Sequence, residues 1–562
     1  MKTFLNPRYT SRFALQKTRA RFFAAALLLF SFLLGSCVRE QNAPDTLQLA
    51  MSVDPSTLDP AKAYDTSSIQ FVRLLYRGLV DYDDRALIAP EVAQSYQVSP
   101  DGKTYTFKLR PDVNFVTSEG KIFRRVEAED FRFALERVLD PATASDGLSQ
   151  YTMIDGAEEY TKALSSKKPL SHVRGIEVLD KNTIRFRLKA ANATFLNYLA
   201  LPFAYAVPRD YVKSLSKDRP LSENPLGCGS FLLSDWQHDG WLQLKKNPHY
   251  FRRDLPRTQQ IDVQIGVSPT LQTMMFEQGR TDLLSFSDVS APEFLRLKRD
   301  PKWKKFMLHA PMMDVRYVTL NVEMKPFTDV RVRRAMNHAI NRDRIVSFLA
   351  GRATKARGAL PPGMPAYNAR GIEYSYDPQK ARELLKEAGY EKGFGKPVTL
   401  WYSVGEPWYG MAAQSIQQDL RKVGVEIQTQ SVRYAELKAK AGQRKNVEMA
   451  MMGWLQDFTD PSNFLDNLFN GRSITDTASI NRAFYSDAQV NKLLDTALAE
   501  TNRASRMKMY SQAEAKIVSD APMVFLHHTE RYVAHQPWIE NYTLHPMWNE
   551  RFEFVKVNDA AR

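Results

Sequence analysis

Cys37 is the residue of this chain best placed for covalent chemistry. It follows Leu34-Gly35-Ser36 and a 13-residue apolar run at 22–34, FFAAALLLFSFLL. A helix needs about 20 apolar residues to cross a bilayer, so this run is too short to span one. The segment before it carries Lys2, Arg8, Arg12, Lys17, Arg19 and Arg21 and no acid, the pattern of an export leader. The order ending in Ser36-Cys37 resembles a lipobox, in which the leader is cut just before the cysteine and the thiol takes a lipid. The alternative is an ordinary leader with an incidental cysteine, in a chain that has only two. Residues 1–36 therefore read as a lipoprotein signal peptide, and the mature protein as an exported body anchored to a membrane through Cys37.

Other reactive constellations are missing. The chain has no Gly-x-Ser-x-Gly elbow, no His-Glu-x-x-His helix and no Gly-x-x-x-x-Gly-Lys-Ser/Thr phosphate loop, motifs whose spacing sets up nucleophile, metal or phosphate chemistry. His527-His528 is the one histidine pair, but neighbours on a strand point to opposite faces and make a poor metal set. No catalytic residue, metal or cofactor is expected. Cys228 is the only thiol besides Cys37, so acylation of Cys37 leaves no internal disulfide, and Cys228 is expected to be buried and inert.

The elements around these residues indicate a mixed α/β protein. Without the leader the chain is too long for one core and suits two or three domains. Its net charge of +14 falls to about +8 once the six leader cations go, and that surplus is spread without an Arg/Lys run or a nucleic-acid motif, so no nucleic-acid partner is expected. Residues 94–98 and 104–110 alternate apolar and polar around Ser99-Pro100-Asp101-Gly102, which predicts a β-hairpin. Residues 175–179 and 183–188 predict a second. Asp377-Pro378 and Gly389 bracket the clearest helix, with Ala381, Leu384, Leu385 and Ala388 at helical spacing. Another helix starts at Asp329 and carries Val332, Met336, Ala339 and Ile340, and its arginines are expected to face solvent.

Read in order, the segments resemble a known family. Asp59-Pro60, Leu75-Tyr76-x-Gly78-Leu79 and Pro90-x-Val92-Ala93-x-Ser95-Tyr96-x-Val98-Ser99-x-Asp101-Gly102-Lys103-x-Tyr105-x-Phe107 open the series. Ala128-Glu129-Asp130-Phe131, the run 140–145, Asn247-Pro248-x-Tyr250, Pro326-Phe327-x-Asp329-Val330-Arg331 and Gly453-Trp454-x-x-Asp457-x-x-Asp460-Pro461 continue it. This conjunction is similar to the extracytoplasmic solute-binding proteins of peptide and nickel ABC importers, over essentially the whole mature chain. Residues 140–145 and Ile154-Asp155-Gly156-Ala157 look most like the oligopeptide branch.

The resemblance implies a two-lobed fold of the type II periplasmic-binding-protein kind with an additional outer domain. It places lobe I at 37–76, 200–313 and 528–562, the outer domain at 77–199, and lobe III at 314–527, with crossovers near 311–315 and 526–532. It implies a monomer that binds an oligopeptide and delivers it to ABC permease and ATPase subunits. Asp457 matches the family's acid for the ligand α-ammonium, though it could instead cap the turn before Pro461. Trp454 matches a Trp of the same loop that either walls the pocket or packs in the core. Where relatives hold an arginine for the ligand carboxylate this chain has Met451, or Glu406-Pro407-Trp408-Tyr409, in which Trp408 either lines an aromatic pocket or packs between domains. That gap keeps open a same-fold receptor for a metal chelate, opine or modified sugar, and a surface lipoprotein for adhesion or peptide sensing. The anchor is tested directly: Cys37→Ser should abolish fatty-acid labelling and release or mislocalise the protein, whereas continued labelling refutes the lipobox reading.

Overall fold

The computed structural model describes residues 45–164, 166, 170–405 and 407–562, so Cys37 and the leader lie outside the described residues. One long strand organises the chain from 45 onward. Met523–His535 runs for 13 residues and pairs with two sets of strands in turn within one eight-stranded sheet. Its first half pairs antiparallel with Asp314–Leu320, with Arg316 opposite His527. Its second half pairs with Met307–Pro311, with Pro311 opposite Glu530, and with Leu283–Ser285. The chain thus passes between the two pairings at 312–313 and again at 529–530, within the two segments expected to cross over.

Beyond Asp314–Leu320 the sheet adds Met449–Leu455 antiparallel, then Val398–Ser403 and Ile427–Val432 in parallel. Helices cover both faces of these strands, so they are apolar over most of their length, as in Val315, Val318, Leu320, Leu400 and Met449. A separate four-stranded sheet sets Thr46–Ala50 parallel to Gln260–Gln264, followed by Trp241–Lys246 and Phe231–Gln237. A third joins Ala93–Val98, Thr104–Leu109, Thr183–Arg187 and Ile176–Asp180, with Phe107, Phe131, Phe186 and Phe195 in its own core.

Both predicted hairpins form. In the first, Gly102 takes the left-handed conformation (φ +66°) and its amide bonds the Ser99 carbonyl. The predicted helix is Pro378–Glu387: the Asp377 carboxylate accepts from the Lys380 amide at 2.9 Å, and Gly389 follows at φ +82°. In Val330–Ala339 the expectation that the arginines face solvent fails for Arg333. Its side chain is 7 % exposed and donates to the Phe327 and Asp520 carbonyls, satisfying chain ends that would otherwise be orphaned. Arg331 is exposed and Arg334 half-buried.

Cys228 is buried, and burial pushes its thiol up to about 12, which keeps it protonated and inert. Its neighbours Gly227 and Gly229 lie so close to the chain that an added Cβ would fall 1.9 Å from the Leu75 carbonyl oxygen and 2.1 Å from that of Leu74. Only glycine permits that approach. The helix next to it, Thr66–Leu75, leads into a buried charge cluster: Arg77 reaches Glu553 at 3.2 Å, Glu91 at 3.5 Å and Asp81 at 3.7 Å. Removing one member would leave a buried charge uncompensated.

Glu514 gives the fold a pH dependence of definite sign. Its carboxylate is 7 % exposed, accepts from the Leu360 amide at 2.9 Å, and is pushed up to about 7 by burial. A carboxyl group whose folded pKa is raised above its unfolded one stabilises most at low pH and loses that contribution as pH rises between the two values. Between about pH 4.5 and 7 this group should therefore remove roughly 2–3 kcal/mol of stability. Glu514→Gln, which keeps an acceptor oxygen, is expected to melt above the native protein at pH 8 and level with it at pH 4. Equal pH profiles for the two would contradict this.

Candidate functional site

The loop between the strand Met449–Leu455 and the helix Ser462–Phe469 carries the predicted binding acid. Two polar anchors fix its shape. Asp460 accepts from the Ser462 amide (3.0 Å) and hydroxyl (2.7 Å) and pairs with the buried Arg506. Asn463, 1 % exposed, is the hub: its Oδ1 accepts from Trp454 Nε1 at 3.1 Å and from the Asp457 amide at 2.9 Å. Its Nδ2 donates to Asp457 Oδ2 at 3.1 Å.

The other oxygen of Asp457 is reached from across the cavity. Tyr64, just before the helix Thr66–Leu75, donates its hydroxyl to Asp457 Oδ1 at 3.0 Å. Nearby, Gln456 Nε2 donates to the Pro546 carbonyl at 2.8 Å, which ties this loop to the C-terminal segment as well. Together these segments enclose a cavity of about 220 Å³ lined by Tyr64, Leu201, Phe203, Asp457, Met547 and Trp548, with Arg73 and Glu550 on its polar side. The cavity walls are therefore aromatic and apolar around a few convergent polar groups, the composition of a small-molecule pocket.

Charge is distributed unevenly around it. Arg73 lies over the Trp548 ring at 4.1 Å and approaches Asp81 at 3.5 Å, and Glu550 pairs with Arg531, so both already have partners of opposite sign. Asp457 has none: among the described residues no Lys, Arg or His forms an ion pair with it. Protein surrounds the group on most sides while solvent reaches it through the cavity, and this desolvation pushes its carboxyl above the usual range, against the opposing pull of the Asn463 and Tyr64 hydrogen bonds. An anion held by neutral donors alone has room for a cationic partner.

The other sequence-predicted residues separate. Trp454 is half-buried and joins Asp457 through Asn463, and its indole fixes the loop. Trp408 is 7 % exposed, stacked on Tyr409 with ring centres 4.2 Å apart and edge-on to His527 at 4.8 Å. It packs beneath the central sheet and does not line the Asp457 cavity. Met451 is 1 % exposed, opposite Val318 in the same core. Glu406 lies outside the described residues. His528 Nδ1 lies 2.7 Å from the Asp314 carbonyl, and burial holds His527 down to about 3, so it is neutral. Among the described residues no His, Cys, Asp and Glu gather as a metal site, and no helix is long and apolar enough to cross a membrane. Tyr64, Asn463 and Trp548 were not singled out from the sequence. They stand 393, 6 and 91 residues from Asp457, with no spacing rule to mark them.

This architecture is that of a two-lobed solute-binding protein. The fold is similar to that of the ABC transporter-associated periplasmic binding protein DppA of Helicobacter pylori, solved with the peptide STSA, with a TM-score of 0.74 and 28% identity over 92% of this chain and 98% of that one. Residues 88–476 match the bacterial extracellular solute-binding proteins, family 5 (middle region), and the chain belongs to that family. Among its relatives are heme-binding protein A of Haemophilus influenzae, 29% identical over 91% of both chains, and the dipeptide-binding protein of Escherichia coli, 29% identical over 90% of this chain and 92% of its own.

The placement of Trp408 has a measurable consequence. Trp408→Ala should cost about 3–5 kcal/mol of stability, as for other buried aromatics, while the affinity for ligand stays within about threefold. A large loss of affinity at unchanged melting temperature would put Trp408 in the binding surface instead.

Proposed function

We propose that this protein is the capture component of an ABC importer, a lipoprotein anchored through Cys37 outside the cytoplasm that binds oligopeptides between its lobes and delivers them to a permease. The lobes are those bounded at 37–76, 200–313 and 528–562, and at 314–527, with residues 77–199 as the outer domain. The observation that carries the reading is Asp457: a desolvated carboxylate in an aromatic cavity, hydrogen-bonded by Tyr64 and Asn463 and lacking a cation. A peptide α-ammonium supplies that cation in a charge-assisted hydrogen bond. The names of relatives, one a dipeptide-binding protein and one solved with a tetrapeptide, support the same ligand class. Chemistry is not required of the site; closure about the two crossovers traps the ligand, and ATP is hydrolysed by other subunits.

Recognition is then anchored at the ligand N-terminus. The positions where a carboxylate clamp is expected hold Met451 and Trp408, both in the core, and Arg73 already has acidic partners. N-acetylation of a bound peptide, or Asp457→Asn, should weaken binding by about 2–5 kcal/mol. C-terminal amidation should cost under about 1 kcal/mol. Calorimetry on one peptide in free, acetylated and amidated forms decides between them. Equal losses from both caps would reveal a cationic clamp, and no binding of any free peptide would move the assignment to a non-peptide solute.

A further inference from the structure

One segment departs from the expectation that the positive charge is spread without a run of cations. Residues 296–305 hold Arg296, Lys298, Arg299, Lys302, Lys304 and Lys305 against a single acid, Asp300. Asp300 joins the helices Ala291–Arg299 and Pro301–Lys304, its carboxylate accepting from the Lys302 amide at 2.8 Å. Leu297 and Trp303 are buried, the Trp303 ring 4.6 Å from that of Phe276, so the geometry of the two helices turns Arg296, Arg299, Lys302, Lys304 and Lys305 to solvent. Arg296 pairs with Glu277 at 2.8 Å. Among the described residues Arg299, Lys302, Lys304 and Lys305 have no carboxylate partner.

The helix that carries Glu277, the partner of Arg296, adds an apolar component beside these cations. Phe276 and Glu277 end the helix Pro269–Glu277, which exposes Leu271 (44 %) and Met274 (50 %) one turn apart, and the exposed Arg280 follows it. The face also adjoins the point where the chain enters the body. Asp282, two residues after Arg280, accepts from the Gln48 amide at 2.6 Å in the first strand. Beyond Lys305, the Phe306 carbonyl accepts from the His535 amide, and His535 pairs with Leu283. Seven residues, eight steps of the chain, separate Cys37 from Asp45 in the sequence, at most about 28 Å when extended.

We propose that this face rests on an anionic lipid surface. Unpaired long cations around two exposed apolar side chains are the composition of an interfacial contact: the cations attract anionic headgroups and the apolar side chains enter the headgroup boundary. The choice of lipid over an acidic protein rests on the reading of Cys37 as the anchor, since a tether this short keeps the body within reach of the bilayer. Contact through this face would fix the orientation of the body as well as its distance from the membrane.

The test removes the anchor and reads the face alone. The mature body without leader or lipidated cysteine, residues 38–562, is sedimented with vesicles of phosphatidylcholine, and of phosphatidylcholine with about 30 % phosphatidylglycerol, at low and high salt. Binding is expected only to the anionic vesicles, and to fall at least about tenfold as salt shortens the Debye length. Reversing Arg299, Lys302 and Lys305 together to Glu should lower the partition coefficient at least about tenfold, while the same reversal of the exposed Lys386, Lys392 and Lys396 leaves it within about twofold. If the triple variant does not fold, Lys302→Glu and Lys305→Glu singly should each lower it about threefold. Equal binding to neutral vesicles, no binding to anionic ones, or equal losses in the two triple variants overturns the proposal. None of these outcomes bears on Asp457, which peptide calorimetry tests separately.

Discussion

A carboxylate removed from water without a cation beside it costs several kcal/mol, and the cleft is organised around one. Asp457 keeps its position because two neutral donors hold it, Asn463 from its own loop and Tyr64 from across the cavity. Each removes part of the desolvation cost and neither removes the charge. The loop that presents Asp457 is braced at Asp460 by Arg506 and at Trp454 by Asn463, so the group has little freedom to retreat into solvent. On the proposed reading, a ligand ammonium would supply what the protein withholds. Binding energy is greatest where the free protein is least satisfied, and in the Asp457 cavity that is at this carboxylate.

The fold makes such a site usable by giving the chain few connections between its sheets. Met523–His535 passes from one pairing to the other within a single strand, and 312–313 does the same in the reverse direction. Rotations at these segments can carry Tyr64 and Asp457 apart while the cores within each lobe stay intact, and would draw Phe458 of the Asp457 loop away from Tyr198, 4.9 Å from it. The lobes are held together by contacts such as Tyr64 to Asp457, Gln456 to Pro546 and Arg352 to the Phe286 and Val289 carbonyls, and a ligand between them would add to these. A binding protein needs this balance, since a cleft closed too firmly without ligand would not release it.

Local signals were legible in the sequence, and long-range ones were legible only through the family resemblance. Asp377, Pro378 and Gly389 act within one helix, and Ser99 to Gly102 within one turn, so their roles follow from neighbouring residues. Arg333 misled because a helical arginine reads as solvent-facing. Its burial depends on carbonyls at Phe327 and Asp520, the latter 187 residues away. Asp457 stands out through its motif, yet its partner Tyr64 comes from the other end of the chain and Asn463 from the first turn of the helix Ser462–Phe469, with no spacing rule to mark either. Trp408 illustrates the converse. An aromatic at a suggestive alignment position is packed against Tyr409 and His527, and nothing local separates a core ring from one that lines a pocket.

The uncompensated charge of Asp457 is the claim on which the functional account stands, and its titration measures it directly. Carbon-13 NMR of aspartate carboxyl groups, with the Asp457 resonance assigned by Asp457→Asn, gives the pKa with and without a bound peptide. The account predicts a value above the ordinary aspartate range in the free protein, and a fall below that range once an ammonium is bound. An ordinary value that ligand leaves unchanged would contradict it.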